Sequence, residues 1–302
     1  MKYLPYTRYT GDTSIRRNLM TDQSLPSLHL KRQDGVLWVS IDAPPVNLMT
    51  AQLLLDLDAV AASAENDPDL QVVVVQSADP EFFIAHGDLT FVEDPATYAA
   101  LPIAEGTLAG TGPMMRLHER WRRLPQTTIA KVAGLARGGG SELAASLDLR
   151  FAALETAAFG QFEALTGIVP GAGATAHLPR LVGRARALEI VLTGDLVDAA
   201  TAERWGWVNR ALPAAQLDEF VDRVARTIAT LPEGVRVAAT AAIDAADGPL
   251  EDALRAEDRL LGETFTPASG ELARAALAAG VPAREVEMNL EEVLRANLVR
   301  HP

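Results

Sequence analysis

The sequence predicts an α/β fold that gives way to a mainly helical C-terminal region. Three observations carry this. Short apolar runs such as Val72–Val75 alternate with stretches whose apolar residues recur at helical spacing, an order that goes with parallel strand pairing. The chain has 302 residues, 48% hydrophobic and 22% charged, and so can bury a sizeable core. Beyond Pro170 the apolar period is mostly helical.

Leu28–Lys31 and Val36–Ile41 read as strands joined by a turn at Asp34–Gly35, the second stopped by Pro44 and Pro45. Thr50–Ala64 carries Leu53, Leu54, Leu57 and Val60 on one helical stripe, and Val72–Val75 and Phe82–Ala85 follow as buried strands. Pro95, Pro102 and Pro113 interrupt the stretch from Asp88 to about Arg123, which reads as irregular structure followed by a helix over Met114–Arg123. Ile129–Val132 resumes the strand pattern and runs into Gly134 and the Gly138–Gly140 triplet. A helix from about Ser141 to Leu147 and a strand over Leu149–Ala153 come next. Helices are expected over Ala185–Thr193, Ala199–Trp205 (capped by Gly206), Leu217–Leu231 and Val235–Ala246. The expected organisation is a flexible tail over 1–24, an α/β core over 25–215 and a helical region over 216–302.

A formal net charge of −13 argues against a nucleic-acid surface. The absence of cysteine excludes disulfides, thiolate zinc sites and a cysteine nucleophile. No apolar run reaches the roughly 18 residues of a membrane span. The N-terminal basic residues lack the apolar stretch of a secretory signal, so a cytoplasmic location is expected. The chain has no His-Glu-x-x-His pair, Walker A loop, dinucleotide glycine pattern or Gly-x-Ser-x-Gly elbow, and no metal is expected.

Three segments can carry chemistry. In the first, Gly138-Gly139-Gly140 lies between an apolar strand and an apolar helix. It lets backbone approach a ligand closely and leaves helical N–H groups free to meet negative charge, with Glu142 in the first turn. Alone, this reads more readily as a tight strand-to-helix turn with Glu142 complementing the helix dipole. In the second, Glu163 is embedded in Phe159-Gly-Gln-Phe-Glu163 ahead of Gly167-Ile-Val-Pro-Gly-Ala-Gly173. That setting raises a carboxyl pKa, although in isolation the residue also reads as a surface acid. The third is Phe82–Leu89, where a buried strand ends at His86-Gly87-Asp88. Gly87 can offer an N–H, Asp88 suits a helix N-cap, and His86 reads as structural or functional.

Their order and spacing together resemble the enoyl-CoA hydratase/isomerase (crotonase) family. Phe82–Leu89 is similar to its segment ending Ala-Gly-Ala-Asp-Leu, and Lys131–Leu143 to Ala-Val-x-Gly-x-x-x-Gly-Gly-Gly-x-Glu-Leu. Phe159–Glu163 is similar to Phe-Gly-x-Pro-Glu, Gly167–Gly173 to Gly-x-x-Pro-Gly-x-Gly, and Leu192–Gly194 to Leu-Thr-Gly. The resemblance covers about residues 28–215. It implies a spiral of ββα units, with the N–H groups of Gly87 and Gly139 as an oxyanion hole for a thioester oxygen. It further implies Glu142 as water activator and Glu163 as proton donor to the α-carbon, with Ala85, His86, Gly138 and Gly171 as substrate-binding candidates. The implied substrate is an acyl-CoA thioester, with coenzyme A as part of the substrate and no tightly bound cofactor. The implied assembly is a homotrimer or dimer of trimers built through C-terminal helices. Hydration of a 2-enoyl-CoA is the expected reaction. Double-bond isomerisation, decarboxylation, C–C cleavage and a non-catalytic acyl-CoA-binding scaffold are the alternatives.

The chain departs from the family pattern at several points. His86 stands where glycine is usual, Gly87 where alanine is usual, and Phe162 where proline is usual. The segment from Asp88 to the glycine triplet is longer, and an acidic Glu285–Glu292 stretch replaces a basic ending. Leu254, Leu260 and Leu261 suit either subunit packing or an intramolecular core.

Overall fold

The structure is a computed structural model that describes residues 25–231, 235–244 and 250–300. The expected tail and the last two residues of the helix expected to reach Ala246 lie outside that range. The strands are β1 (Leu28–Gln33), β2 (Val36–Ile41), β3 (Val72–Ser77), β4 (Phe82–Ile84), β5 (Thr127–Val132), β6 (Leu135–Arg137), β7 (Leu149–Ala153), β8 (Ala158–Gly160), β9 (Val197–Asp198) and β10 (Arg210–Leu212). They form a six-stranded sheet ordered β1-β2-β3-β5-β7-β10 and a four-stranded sheet ordered β4-β6-β8-β9. All neighbours pair in parallel except β1 with β2 and β8 with β9.

The strand run β3-β5-β7 in one sheet is matched by β4-β6-β8 in the other. Each turn of the chain therefore lays one strand on each sheet and returns, as in the implied spiral of ββα units. Val72 to Val75 are fully buried, as expected of a parallel strand covered on both faces. At the β1–β2 hairpin Gln33 pairs with Val36, leaving Asp34 and Gly35 as a two-residue loop, both with positive φ. This conformation matches the right-handed strand twist and is the one that Asp-Gly favours.

The first helix, α1 (Ala51–Glu65), is capped by the Thr50 hydroxyl, which accepts from Leu53 N–H, and it buries the predicted leucine stripe. The proline-interrupted stretch resolves into α2 (Thr90–Glu93), α3 (Pro95–Ala99), a 3-10 turn at Gly106–Leu108 and α4 (Pro113–Arg122). Proline at N1 opens α3 and α4, where its missing N–H costs nothing. Then come α5 (Gly139–Ser146), α6 (Ala174–Val182), α7 (Arg184–Thr193), α8 (Ala199–Trp205) and α9 (Ala214–Ala229). As predicted, Gly206 closes α8 in the left-handed conformation. The remaining helices are α10 (Val235–Asp244), α11 (Leu250–Thr264), α12 (Pro267–Ala278), α13 (Arg284–Glu287) and α14 (Leu290–Arg300).

The C-terminal helices fold back on their own chain. Leu254 packs with Leu108, Met115 and Ala176, and Ala276, Val281, Leu290 and Leu294 cluster with Leu89, Phe162 and Leu165. Among the described residues no helix is long and apolar enough to cross a membrane.

The close approach of the β5–β6 corner to the residue ahead of β4 makes a stability test. A Cβ on Gly134, at the β5–β6 corner, would lie 2.2 Å from the Glu81 carbonyl carbon, whereas one on Gly262 in α11 meets nothing within 4 Å. Gly134→Ala is expected to destabilise the chain by roughly 1–3 kcal/mol. Gly262→Ala is expected to stabilise it by about 0.5–1 kcal/mol. Denaturant midpoints of the two variants check both signs.

Candidate active site

The site forms where β4 and β6 end. After β4, the His86 carbonyl accepts from Met49 N–H at 2.9 Å, and Asp88 N–H donates to the Met49 carbonyl at 3.2 Å. In a trans peptide the N–H points opposite to the C=O, so holding the His86 carbonyl on Met49 turns Gly87 N–H away from Met49. After β6, Gly138 adopts φ +47°, and Gly139 begins α5 with an N–H that has no intrahelical acceptor. The two glycines converge on one side chain. A Cβ on Gly87 would lie 3.2 Å from Met114 Cε, and one on Gly139 2.8 Å from Met114 Sδ.

Glu142 follows one helical turn after Gly138 and is 2% exposed. Its Oε1 accepts from the N–H groups of Ala172 (2.9 Å) and Ala174 (3.2 Å). Burial pushes its pKa up to about 7 against the opposing pull of these two bonds. The loop that holds Glu142 is itself pinned, because the Ala172 carbonyl bonds His118 Nδ1 at 2.8 Å. Burial pushes the pKa values of His118 and His177 down to about 4, so both rings are neutral at pH 7 and His118 is a donor at Nδ1.

Glu163 opens a 3-10 turn at Glu163–Thr166, and its Oε1 lies 2.8 Å from where a Cβ on Gly138 would be. The amide of Gln161 takes the orientation its neighbours require. Its nitrogen donates to both Glu163 oxygens at 3.0 Å and its oxygen accepts from Ser141 Oγ at 3.2 Å. Glu142 and Glu163 thus flank the Gly138–Gly139 turn.

Between them opens a cleft that also includes His86, Gly87, Gly138, Gly139 and Gly171. Its walls are largely apolar, including Leu89, Phe91, Phe162, Val169 and, from the C-terminal helices, Leu261 and Phe265. Gly171 admits the C-terminal wall, since a Cβ there would lie 1.8 Å from Leu261 Cδ2. Ala85 is placed elsewhere: it is fully buried with Val46 and Phe82, and its N–H bonds the Val46 carbonyl. His86 lines the cleft and is 1% exposed.

Sequence reasoning missed several participants. Gln161 lies inside the Phe159–Glu163 segment but carries no signal until its neighbours are known. Tyr98, whose hydroxyl accepts from Met114 N–H at 3.1 Å, came from the segment without a clear period. Arg137 and Glu287 are fully buried beside His86, although they belong to a glycine-rich connector and an acidic run. The arrangement brings the Gly87 and Gly138–Gly139 loops and the carboxyls of Glu142 and Glu163 around one cleft.

Residues 31–278 match the enoyl-CoA hydratase/isomerase family profile. The chain is similar to a provisionally assigned enoyl-CoA hydratase of Streptomyces avermitilis in crystal form. Identity is 44% over 90% of this chain and 98% of that one, with a TM-score of 0.85. It is 29% identical to the short-chain-enoyl-CoA hydratase of Clostridium acetobutylicum, over 87% of this chain and 97% of the relative. It is 34% identical to the carnitinyl-CoA dehydratase of Escherichia coli K12, over 67% and 74% respectively.

The raised pKa of Glu142 has a consequence for stability. From the ordinary value of 4.5 up to about 7, the folded chain keeps a proton that the unfolded chain has released. Stability therefore falls as pH rises through that window, and the loss persists above it. Glu142→Gln removes the titration, so its stability relative to wild type is expected to rise between about pH 5 and about pH 8. Urea unfolding at both pH values checks this, and a difference independent of pH would contradict the assigned shift.

Proposed function

The chain belongs to the enoyl-CoA hydratase/isomerase family, and we propose that it adds water to a 2-enoyl-CoA thioester to give the 3-hydroxyacyl-CoA. The observation that carries this reading is the placement of both Glu142 and Glu163 around the glycine turn that presents Gly139 N–H. The names of the Clostridium and Escherichia coli relatives, a hydratase and a dehydratase, support chemistry in which water is added or removed.

In this mechanism the thioester oxygen accepts from Gly87 N–H and Gly139 N–H. As a water oxygen bonds to the β-carbon, electron density moves through the α-carbon onto that oxygen, and the two donors stabilise the enolate. Loss of one such donor raises the barrier by ~3 kcal/mol or more. Glu142 takes the proton from water, and its value of about 7 makes it an effective base near neutral pH. Glu163 delivers a proton to the α-carbon. Two carboxyls in one desolvated cleft do not both ionise easily, which favours such a division of roles. Solvent exchange then restores the starting protonation.

The apolar walls suit an apolar acyl portion, with coenzyme A carried by the substrate and no resident cofactor. We place the protein in the cytoplasm as a trimer or dimer of trimers. Leu188 and Leu192, one turn apart on α7 and respectively 39% and 66% exposed, support burial between copies.

The test is loss of the conjugated enoyl-thioester absorbance with crotonyl-CoA and longer 2-enoyl-CoAs. Turnover is expected, with a product heavier by one water. Glu142→Gln and Glu163→Gln are each expected to lower kcat by about 100-fold or more. Full activity in either variant would sink the paired roles, and conversion without gain of water would replace hydration with isomerisation.

A further inference from the structure

The two loops that carry the oxyanion donors are both tied to one buried carboxylate from the far end of the chain. Glu287 in α13 is fully buried, and its Oε1 lies 2.7 Å from His86 Nε2, with His86 itself 1% exposed. Its Oε2 faces Arg137 Nη1 at 3.6 Å, an ion-pair distance, and its backbone carbonyl accepts from Arg137 Nη2 at 2.7 Å. Arg137 Nε donates to Glu291 Oε1, one turn farther along, at 2.7 Å. His86 immediately precedes Gly87, and Arg137 immediately precedes Gly138-Gly139.

His86 also acts directly on its neighbour, because Nδ1 lies 2.7 Å from the Gly87 carbonyl. A carbonyl only accepts, so Nδ1 must carry a proton. Nε2 then meets the Glu287 carboxyl, and one further proton must lie in that bond, on the nitrogen or on the oxygen. Either way Glu287 supports the ring state that donates to Gly87. The partner of one ring nitrogen decides what the other can do. Glycine is otherwise free to rotate. Here Met49 N–H holds the peptide before Gly87, and the peptide after it is held by the Met49 carbonyl and the His86 ring.

Phe162, which departs from the family pattern as His86 does, packs against the His86 ring edge-to-face with centroids 5.3 Å apart. The two departures are therefore in contact. Glu287 and Glu291 lie beyond residue 278, where the family match ends.

We propose that Glu287 is a positioning residue that, through His86 and Arg137, fixes the two backbone loops of the oxyanion hole relative to each other. The C-terminal segment thereby becomes part of the machinery that polarises the substrate carbonyl. This inference rests on the reading that Gly87 and Gly139 bind a thioester oxygen. It does not depend on whether water is added.

The test uses the full chain and a 2-enoyl-CoA bearing an electron-rich aromatic group, whose absorption moves to longer wavelength as its carbonyl is polarised. Glu287→Leu and His86→Phe are compared with Glu287→Gln. The Gln amide can still donate to His86 Nε2 and turn its oxygen toward Arg137, so the Nδ1–H clamp on Gly87 is kept. His86→Phe keeps a ring against Phe162 but loses both bonds. Glu287→Leu and His86→Phe are expected to shrink the spectral shift of the bound thioester. They should also lower kcat roughly 10–100-fold with little change in KM. Glu287→Gln is expected to retain most of the shift. If Glu287→Leu does not fold, His86→Phe decides alone. A full wild-type shift in folded Glu287→Leu or His86→Phe overturns the proposal, as does an equal loss in Glu287→Gln and Glu287→Leu. Wild type that polarises the thioester without hydrating it overturns the hydration reading alone. Wild type that polarises no thioester overturns both.

Discussion

In the small sheet Ile84 pairs with Ala136, and the two strands run parallel. The residues three positions on, Gly87 and Gly139, therefore leave the sheet at the same end and meet at Met114. An antiparallel arrangement would have sent the two loops to opposite ends. Parallel pairing needs a long crossover, and the chain supplies it as the proline-interrupted segment, α4 and β5. The crossover is also functional material, because it delivers Tyr98 and Met114 to the cleft. Sheet connectivity and site geometry are one constraint here.

The same economy governs charge. Glu142 is buried where an ionised carboxylate is costly, and two backbone N–H groups offset part of that cost. The result is a carboxyl with a pKa near neutrality rather than one locked in either state. The histidines around its supporting loop stay neutral for the same reason of burial, so they add hydrogen-bonding geometry without adding a competing charge.

The C-terminal region contributes more to the site than its sequence suggests. The acidic Glu285–Glu292 stretch read as a departure from a basic ending, and in the fold it divides. Glu285 and Glu292 face solvent, whereas Glu287 and Glu291, one turn apart, point inward to Arg137. Removing one partner of a buried ion pair leaves the other charge uncompensated, so loss of Arg137 or Glu287 alone is costly to the fold. Leu254 and Leu261, compatible from the sequence with subunit packing, are buried within the chain itself. Exposed large apolar side chains among the described residues occur on α7 (Leu188 and Leu192) and on α10 (Val235, Val237 and Ile243).

The α/β class, the Asp34–Gly35 hairpin, the α1 stripe and the glycine turn ahead of Glu142 were legible in the sequence because each is a local matter. Periodicity, turn chemistry and capping act within a few residues. The short strands β6, β8, β9 and β10 were not legible, since two or three residues cannot show a period and are strands only through their neighbours. The pairing of Glu142 with Glu163 was reachable only through motif order, because 21 positions separate them and nothing local says that they share a cleft. Wholly beyond sequence reasoning were the Gln161 amide on Glu163, the Met49 clamp on Gly87 and the contact of His86 with Glu287 across 201 positions. Those depend on which strands lie side by side and which helix returns to cover them. Burial then turns ordinary charged and polar residues into partners that must satisfy one another, and only the tertiary structure decides who is buried.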